Sequence, residues 1–205
     1  MRGLYAITDP YLTPGQQLFE AVEAALRGGV SYLQYRDKLH EAGDRLRIAQ
    51  ELRALCYDYG AWFIVNDDVA LTKAVQAHGV HLGREDMPLE EARELLDPDT
   101  LIGVSCYNDL ARARAAQNAG ADYVAFGRFF ASRTKPQAQP ASLETLRQAR
   151  AELTIPVVAI GGITTENADV VIDAGADVVA VIQGLFAQPD IEATARQFCQ
   201  LFQKS

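Results

Sequence analysis

The sequence predicts an α/β protein, a single (β/α)8 TIM barrel covering residues 1–205. Three observations carry that expectation. Eight short apolar runs alternate with eight segments of helical period, and the alternation persists to the C-terminus. The runs are apolar on both faces, as strands of a parallel sheet covered by helices must be. Several helical segments also end in one recurring device: Arg27-Gly28-Gly29-Val30, Ala77-His78-Gly79-Val80, Ala119-Gly120-Ala121-Asp122 and Ala174-Gly175-Ala176-Asp177. A glycine just past a helix supplies a left-handed cap that turns the chain into the next strand. Eight such units in 205 residues describe a barrel near the lower end of that fold's size.

In chain order, the first strand is expected at Leu4–Thr8 and its helix at Gln16–Arg27. The second apolar run, Tyr32–Arg36, precedes a long helix at Ala42–Tyr59. Trp62–Asn66 is followed by a short helix, Val69–Ala77, and Val80–Leu82 by Leu89–Leu96. Leu101–Ser105 leads to Leu110–Asn118, Tyr123–Phe126 to Leu143–Glu152, Val157–Ile160 to Asn167–Asp173, and Val178–Ile182 to Ile191–Phe202. No linker, low-complexity tract or charge run divides them, so one domain is expected.

Composition narrows the function. With 49% hydrophobic and 22% charged residues the chain can bury a sizeable core. A formal charge of −8 argues against a nucleic-acid or anionic-membrane partner, which would be repelled. It leaves room for a small anionic substrate, which responds to the local field of a pocket. Cys56, Cys106 and Cys199 are odd in number and lack CxxC spacing, as expected of reduced thiols in a cytoplasmic protein. Met1-Arg2 runs straight into the first strand with no apolar leader, and no stretch reaches membrane-spanning length. A soluble, unexported protein is expected.

A barrel of this kind carries its chemistry at the C-terminal ends of its strands. The unusual polar residues fall there. Gln34-Tyr35-Arg36-Asp37-Lys38 ends the second strand, and alternation would send Gln34, Arg36 and Lys38 to one side, ~7 Å apart. Two cations and an amide on an inward face need an anionic partner, because unpaired buried charge is strongly disfavoured. Arg offers a planar fork and Lys a point charge, a pairing suited to a diphosphate; the bland alternative is a solvated strand end with a surface ion pair to Asp37. Asp67 and Asp86 end neighbouring strands, and two carboxylates beside a diphosphate are the usual protein share of a Mg²⁺ site. Asp68 and Glu85 read as helix-capping and first-turn charges. Gly161-Gly162-Ile163-Thr164-Thr165-Glu166 follows the seventh strand and opens a helix, a place where phosphate binds in barrels. The segment Gly127–Pro136, with three cations and two hydroxyls, reads as a ligand clamp whose Phe129 and Phe130 pack on the rim. His40, His78 and His81 lack the partner spacing of a zinc site or a nucleophile triad and read as structural.

These segments, with Leu4–Asp9, His81–Asp86, Gly103–Asn108, Ser132–Lys135, Ala159–Ile163 and Val179–Ile182, resemble the thiamine-phosphate synthase family in order and over almost the whole chain. The resemblance implies a transferase that moves a pyrimidinylmethyl group from hydroxymethylpyrimidine diphosphate to the nitrogen of a thiazole phosphate, plain or carboxylated. Thiamine phosphate and pyrophosphate would be the products. Carried over by position, Gln34, Arg36, Lys38, Asn66, Ser105 and Lys135 would hold the pyrimidine diphosphate, with Arg36, Lys38 and Lys135 as the catalytic cations. Asp67 and Asp86 would hold Mg²⁺. Ser132, Thr134, Gly162, Ile182 and Gln183 would surround the thiazole phosphate. Three departures stand out: Arg84 where many relatives have Gln, Ser132 where many have Thr, and Gln183-Gly184 where a Ser-Ala-like pair is common.

The family mechanism is dissociative, which accounts for the lack of an evident catalytic base: stabilised charge and positioning do the chemistry. Two rivals share the fold. A thiazole tautomerase would keep the barrel but lose parts of the diphosphate site and carry His at the position of Tyr107. A non-catalytic barrel that binds thiamine-related phosphates would keep many of the same residues. Oligomeric state is not written in the sequence, and a homo-oligomer is compatible with it.

Overall fold

A strand apolar on both faces needs two covers, and here they are the barrel interior and a jacket of helices. The computed structural model describes residues 1–131 and 140–203. Its elements run β1 (Gly3–Ile7), α1 (Gln17–Arg27), β2 (Tyr32–Tyr35), α2 (Ala42–Asp58), β3 (Trp62–Asn66), α3 (Val69–Ala74), β4 (Gly79–Leu82), α4 (Leu89–Leu95) and β5 (Leu101–Tyr107). They continue with α5 (Leu110–Asn118), β6 (Tyr123–Gly127), α6 (Leu143–Glu152), β7 (Val157–Ile160), α7 (Ala168–Asp173), β8 (Val178–Val181), α8 (Gln183–Phe186) and α9 (Ile191–Leu201). The strands pair in sequence order, all parallel, and β8 closes onto β1. The expected (β/α)8 barrel is present. Among the described residues no helix is long and apolar enough to cross a membrane.

Alternation sorts the core into two clusters. Tyr5, Ile7, Tyr32, Ile64, Tyr123, Ala125, Val158, Val178 and Ala180 fill the interior. Their strand neighbours, such as Leu4, Ala6, Leu33, Phe63 and Val65, pack outward against the helices. Each fully buried large apolar side chain contributes about 1.5–3 kcal/mol. A one-residue slip of any strand would exchange the two sets, so register is strongly specified.

Several boundaries differ from those expected. β2 stops at Tyr35, and β5 runs on to Tyr107 through a register shift against β6 between Ser105 and Tyr107. α3 ends at Ala74 because Gln76, not the glycine that follows, takes the left-handed turn, at φ 51°. Gly79 is already the first residue of β4. Elsewhere the expected caps hold: Gly120 and Gly175 adopt φ 91° and 111°. The two Ala-Gly-Ala-Asp repeats also share a second task. Asp122 accepts from the Ile102 amide at 2.7 Å, and Asp177 from the Val157 amide at 2.9 Å. Each carboxylate thus ties the turn before one strand to the start of the strand before it. α8 lacks any counterpart among the expected helices; four residues are too few for a period to register.

One row across three strands links this framework to the interior. His81 on β4, Gly103 on β5 and Tyr123 on β6 stand in register. The His81 and Tyr123 rings stack across the glycine, with centroids 5.6 Å apart and planes at 28°. A Cβ at Gly103 would lie 2.0 Å from the Tyr123 ring, so only glycine leaves room for it. Overpacking a filled core costs about 1–3 kcal/mol. Gly103→Ala should therefore reduce the unfolding free energy by an amount in that range, read as a lower denaturation midpoint at unchanged slope. An unaltered midpoint would show that the ring yields freely.

Candidate active site

A cavity of about 340 Å³ opens at the C-terminal ends of the strands. Gln34, Arg36, Asn66, Ser105, Gly162, Ile182 and Gln183, expected at the site from the sequence, all line it. Gln34 is 3% exposed, and its Nε2 donates to the Tyr5 hydroxyl at 2.8 Å. Arg36 lies just past β2, and the Thr8 side chain fixes its backbone: Thr8 Oγ1 accepts from the Arg36 amide at 2.9 Å and donates to its carbonyl at 3.2 Å. Among the described residues no carboxylate pairs with the Arg36 guanidinium, which leaves its fork for an anion. Since β2 ends at Tyr35, strand alternation does not carry Lys38 into the cavity. Lys38 sits at the rim, half exposed, with its ammonium on the Asp67 carboxylate.

Asp37 overturns the surface-ion-pair alternative. Its side chain is 3% exposed and is held from four directions. Tyr35 OH donates at 2.9 Å, the Leu39 and His40 amides at 2.8 and 3.1 Å, and His40 Nδ1 lies 2.7 Å away. Burial pushes this carboxyl up, but the Leu39, His40 and Tyr35 hydrogen bonds outweigh it and hold the pKa below the ordinary 3.8. Asp37 thus braces the loop that carries Arg36 and Lys38.

The two candidate metal ligands stand at the tops of adjacent strands. Asp67 adopts φ 56°, its amide donates to the His81 carbonyl at 2.9 Å, and Asn66 Nδ2 donates to its carboxylate at 2.8 Å. Left-handed backbone at a non-glycine residue costs roughly 1–3 kcal/mol and concentrates at functional sites. Asp86 Oδ2 accepts from the Gly83 amide at 2.6 Å. Among the described residues no group of three or more His, Cys, Asp or Glu gathers to hold a metal ion. Two oxygen-donor residues fit Mg²⁺ only as part of a shared site completed by phosphate and water, the usual habit of that ion. The Lys38–Asp67 pair fits as well, since a metal diphosphate presents both signs of charge.

The expected structural roles divide. Asp68 caps α3, accepting from the Leu71 amide at 2.8 Å, and also pairs with Arg45. Glu85 is exposed and lies outside any helix, because α4 begins at Leu89 with Pro88 at its N-cap. His78 Nδ1 accepts from the Phe63 amide at 2.9 Å, and burial, aided by Arg53, lowers its pKa. His81 departs from the structural reading: it lines the cavity and bonds to Ser105 and Tyr123. Its inward position near the C-terminal end of β4 was the available signal; motif spacing was the wrong test for it. Tyr5 lines the cavity too and was not singled out; Tyr107, marked in the sequence as the position where a tautomerase would carry His, also lines it. Tyr107 takes φ 58°, and the Arg84 guanidinium rests over its ring at 4.8 Å.

On the opposite wall, Gly161 and Gly162 take φ 107° and 64°. A Cβ at Gly162 would meet the Ala131 carbonyl at 2.3 Å. Contrary to expectation, no helix opens directly after them: α7 starts at Ala168, and the Thr164 amide donates to Asn167 Oδ1 at 2.9 Å. The glycine backbone and the start of α8, not the start of α7, line this part of the cavity. Gly184 accounts for one departure from the family pattern, since a Cβ there would lie 2.1 Å from the Ile163 carbonyl. Phe129 and Phe130 pack partly buried against the jacket core. Ser132, Thr134 and Lys135 lie outside the described residues.

Because the Asp37 pKa is depressed in the folded chain, its contribution to stability is present above the unfolded value and lost as pH falls through the folded one. Asp37→Asn should reduce stability at neutral pH, and the variant should lose part of the wild-type's fall in stability below pH ~4. Parallel acid limbs in urea titrations of the two proteins would contradict the bracing role.

The family model described as thiamine monophosphate synthase matches residues 4–185. The thiamine-phosphate synthase of Nitrosococcus oceani is 54% identical over 202 residues, covering 98% of this chain and 93% of the relative. That of Thioalkalivibrio sulfidiphilus is 54% identical over 203 residues, covering 99% and 96%. Among solved structures, thiamine phosphate pyrophosphorylase from Pyrococcus furiosus superposes with a TM-score of 0.91 at 38% identity, covering 98% of this chain and 96% of that one. With its barrel closed, its cavity at the strand ends and a match of this extent, the chain belongs to the thiamine monophosphate synthase family.

Proposed function

We propose that the cavity performs pyrimidinylmethyl transfer, taking hydroxymethylpyrimidine diphosphate and a thiazole phosphate to thiamine phosphate and pyrophosphate. One observation carries the reading: Gln34, Arg36, Asn66 and Ser105 converge from three strands on one cavity, with the Asp67 and Asp86 carboxylates at the tops of β3 and β4. Arg36 and Lys38 would hold the diphosphate, joined by Lys135 through its place in the sequence. Gln34, Asn66 and Ser105 would seat the pyrimidine end. Gly162, Ile182 and Gln183, with Ser132 and Thr134, would receive the thiazole phosphate.

Asp67 and Asp86 would hold Mg²⁺, which when bound would neutralise charge on the departing diphosphate. The chain's own contribution is positional and electrostatic. As the carbon–oxygen bond breaks, negative charge gathers on the diphosphate, and the Arg36 fork, carried on backbone that Thr8 holds in place, would meet it. Positive charge gathers on the pyrimidine fragment. Ile7, Val158, Ile160 and Ile163 wall the cavity and would keep water from that fragment until the thiazole nitrogen captures it. Tyr107 stands where a tautomerase of this fold would carry His.

Purified protein given both substrates and Mg²⁺ should form thiamine phosphate and pyrophosphate in equal amounts; failure to form either overturns the reading. Asp67→Ala and Asp86→Ala should each remove most turnover while leaving the unfolding free energy within about 1 kcal/mol, as neither carboxylate belongs to the core. Full activity of Asp67→Ala at limiting Mg²⁺ would refute its assignment as a ligand. Arg36→Ala should lower kcat on the order of 10²–10³ with a smaller change in KM, because its interaction strengthens as the bond breaks. A raised KM at unchanged kcat would reduce Arg36 to a binding residue.

A further inference from the structure

Beneath the cavity, polar side chains from five different strands join end to end. Gln34 Nε2 donates to Tyr5 at 2.8 Å, and the Tyr5 and Tyr123 hydroxyl oxygens lie 3.0 Å apart. Tyr123 OH is 3.1 Å from His81 Nδ1, and His81 Nε2 is 2.8 Å from Ser105 Oγ. Gln34, Tyr5, His81 and Ser105 line the cavity; Tyr123 does not, and it is wholly buried. Burial raises both phenol pKa values far above the ordinary 10.0, so each oxygen keeps its proton.

The proton count sets the direction. Each phenol has one hydrogen to donate, and burial penalises a hydroxyl left without an acceptor. Tyr5 already accepts from Gln34, so its own hydrogen goes to Tyr123. Tyr123 then donates to His81 Nδ1, which must be the bare nitrogen of a neutral imidazole. The ring proton therefore sits on Nε2 and is donated to Ser105 Oγ, leaving the serine hydrogen to point elsewhere. In the opposite sense Tyr5 would receive two donors and bury an unused O–H.

We infer that Gln34, Tyr5, Tyr123 and His81 form a directional hydrogen-bond relay that fixes the His81 tautomer and makes Ser105 a donor toward an acceptor nitrogen of the substrate's heteroaromatic ring. Tyr123, which touches no cavity surface, is a positioning residue acting through His81. Gly103 makes the relay possible, since any side chain there would occupy the space of the Tyr123 ring. The assignment of the acceptor to the pyrimidine rests on the transfer reading above; the tautomer does not.

Two measurements test the relay. In ¹⁵N-histidine-labelled wild-type protein at neutral pH, His81 should show a protonated Nε2 and an unprotonated Nδ1. The Nδ1–H tautomer would overturn the relay. In kinetics, Tyr123→Phe keeps the ring and removes only the hydroxyl. It should reduce kcat/KM for the pyrimidine diphosphate by about 3–10-fold, the scale of one hydrogen bond, yet have almost no effect in a Ser105→Ala background. Equal losses in both backgrounds would mean a merely structural effect and also overturn it. Tyr5→Phe, measured the same way, covers the case in which Tyr123→Phe does not fold. Protein with the Nε2–H tautomer that makes no thiamine phosphate would sink the transfer reading and leave the relay standing. Active protein with the Nδ1–H tautomer would do the reverse.

Discussion

Every polar group that faces the inside of a closed barrel must find a partner there, because burial without one is costly. That constraint shapes this molecule from the floor of its cavity upward. The lower interior is apolar, filled by residues such as Ile64 and Val178. One layer higher, the inward positions turn polar, and Gln34, Tyr5, Tyr123, His81 and Ser105 satisfy one another in a single chain. Above them stand Arg36 and the Lys38–Asp67 pair, whose demand for a partner an external anion and cation can meet.

The same gradient explains the division of labour within short motifs. Residues 34–38 look uniform in sequence, but the end of β2 at Tyr35 splits them. Gln34 belongs to the barrel interior and Arg36 to the cavity wall, while Asp37 turns away to brace the loop and Lys38 reaches the rim. Asp67 and Asp68 divide in the same way. One carboxylate, on a left-handed backbone, pairs with Lys38 at the rim, and its neighbour caps α3. A charge paired with the rim ammonium of Lys38 and a helix-capping charge can thus be adjacent, with backbone direction deciding which is which.

Glycine serves two unlike purposes. Past the helices, Gly120 and Gly175 provide backbone freedom, and the aspartates two residues on tie neighbouring strands together. Inside the barrel, Gly103 supplies empty space in which the His81 and Tyr123 rings meet. The first purpose follows from local conformation and repeats along the chain. The second depends on what two other strands place nearby.

The barrel was legible because its signals are local and repeated: apolar runs and helical periods recur eight times and the cap device four, and errors at the ends of β2, β5 and α3 do not change the order of elements. Much of the site was legible for a similar reason, since the polar residues follow their strands directly. What the chain order could not reveal was side-chain company. His81 carried no recognisable spacing, and Tyr5 and Tyr123 looked like ordinary aromatic core, because their partners lie 24 to 118 residues away. Asp37 entered only as the partner in the bland surface-pair alternative, because its neighbours Tyr35, Leu39 and His40 bond to it only once the loop has folded around it. Sequence by itself determined the fold class, the order of the strands and the chemical character of the cavity mouth, all of which depend on residue type and local period. Only tertiary structure decided which hydroxyls and ring nitrogens meet beneath that mouth, because closure of the barrel brings distant strands within hydrogen-bonding distance and leaves Gly103 as the gap between them.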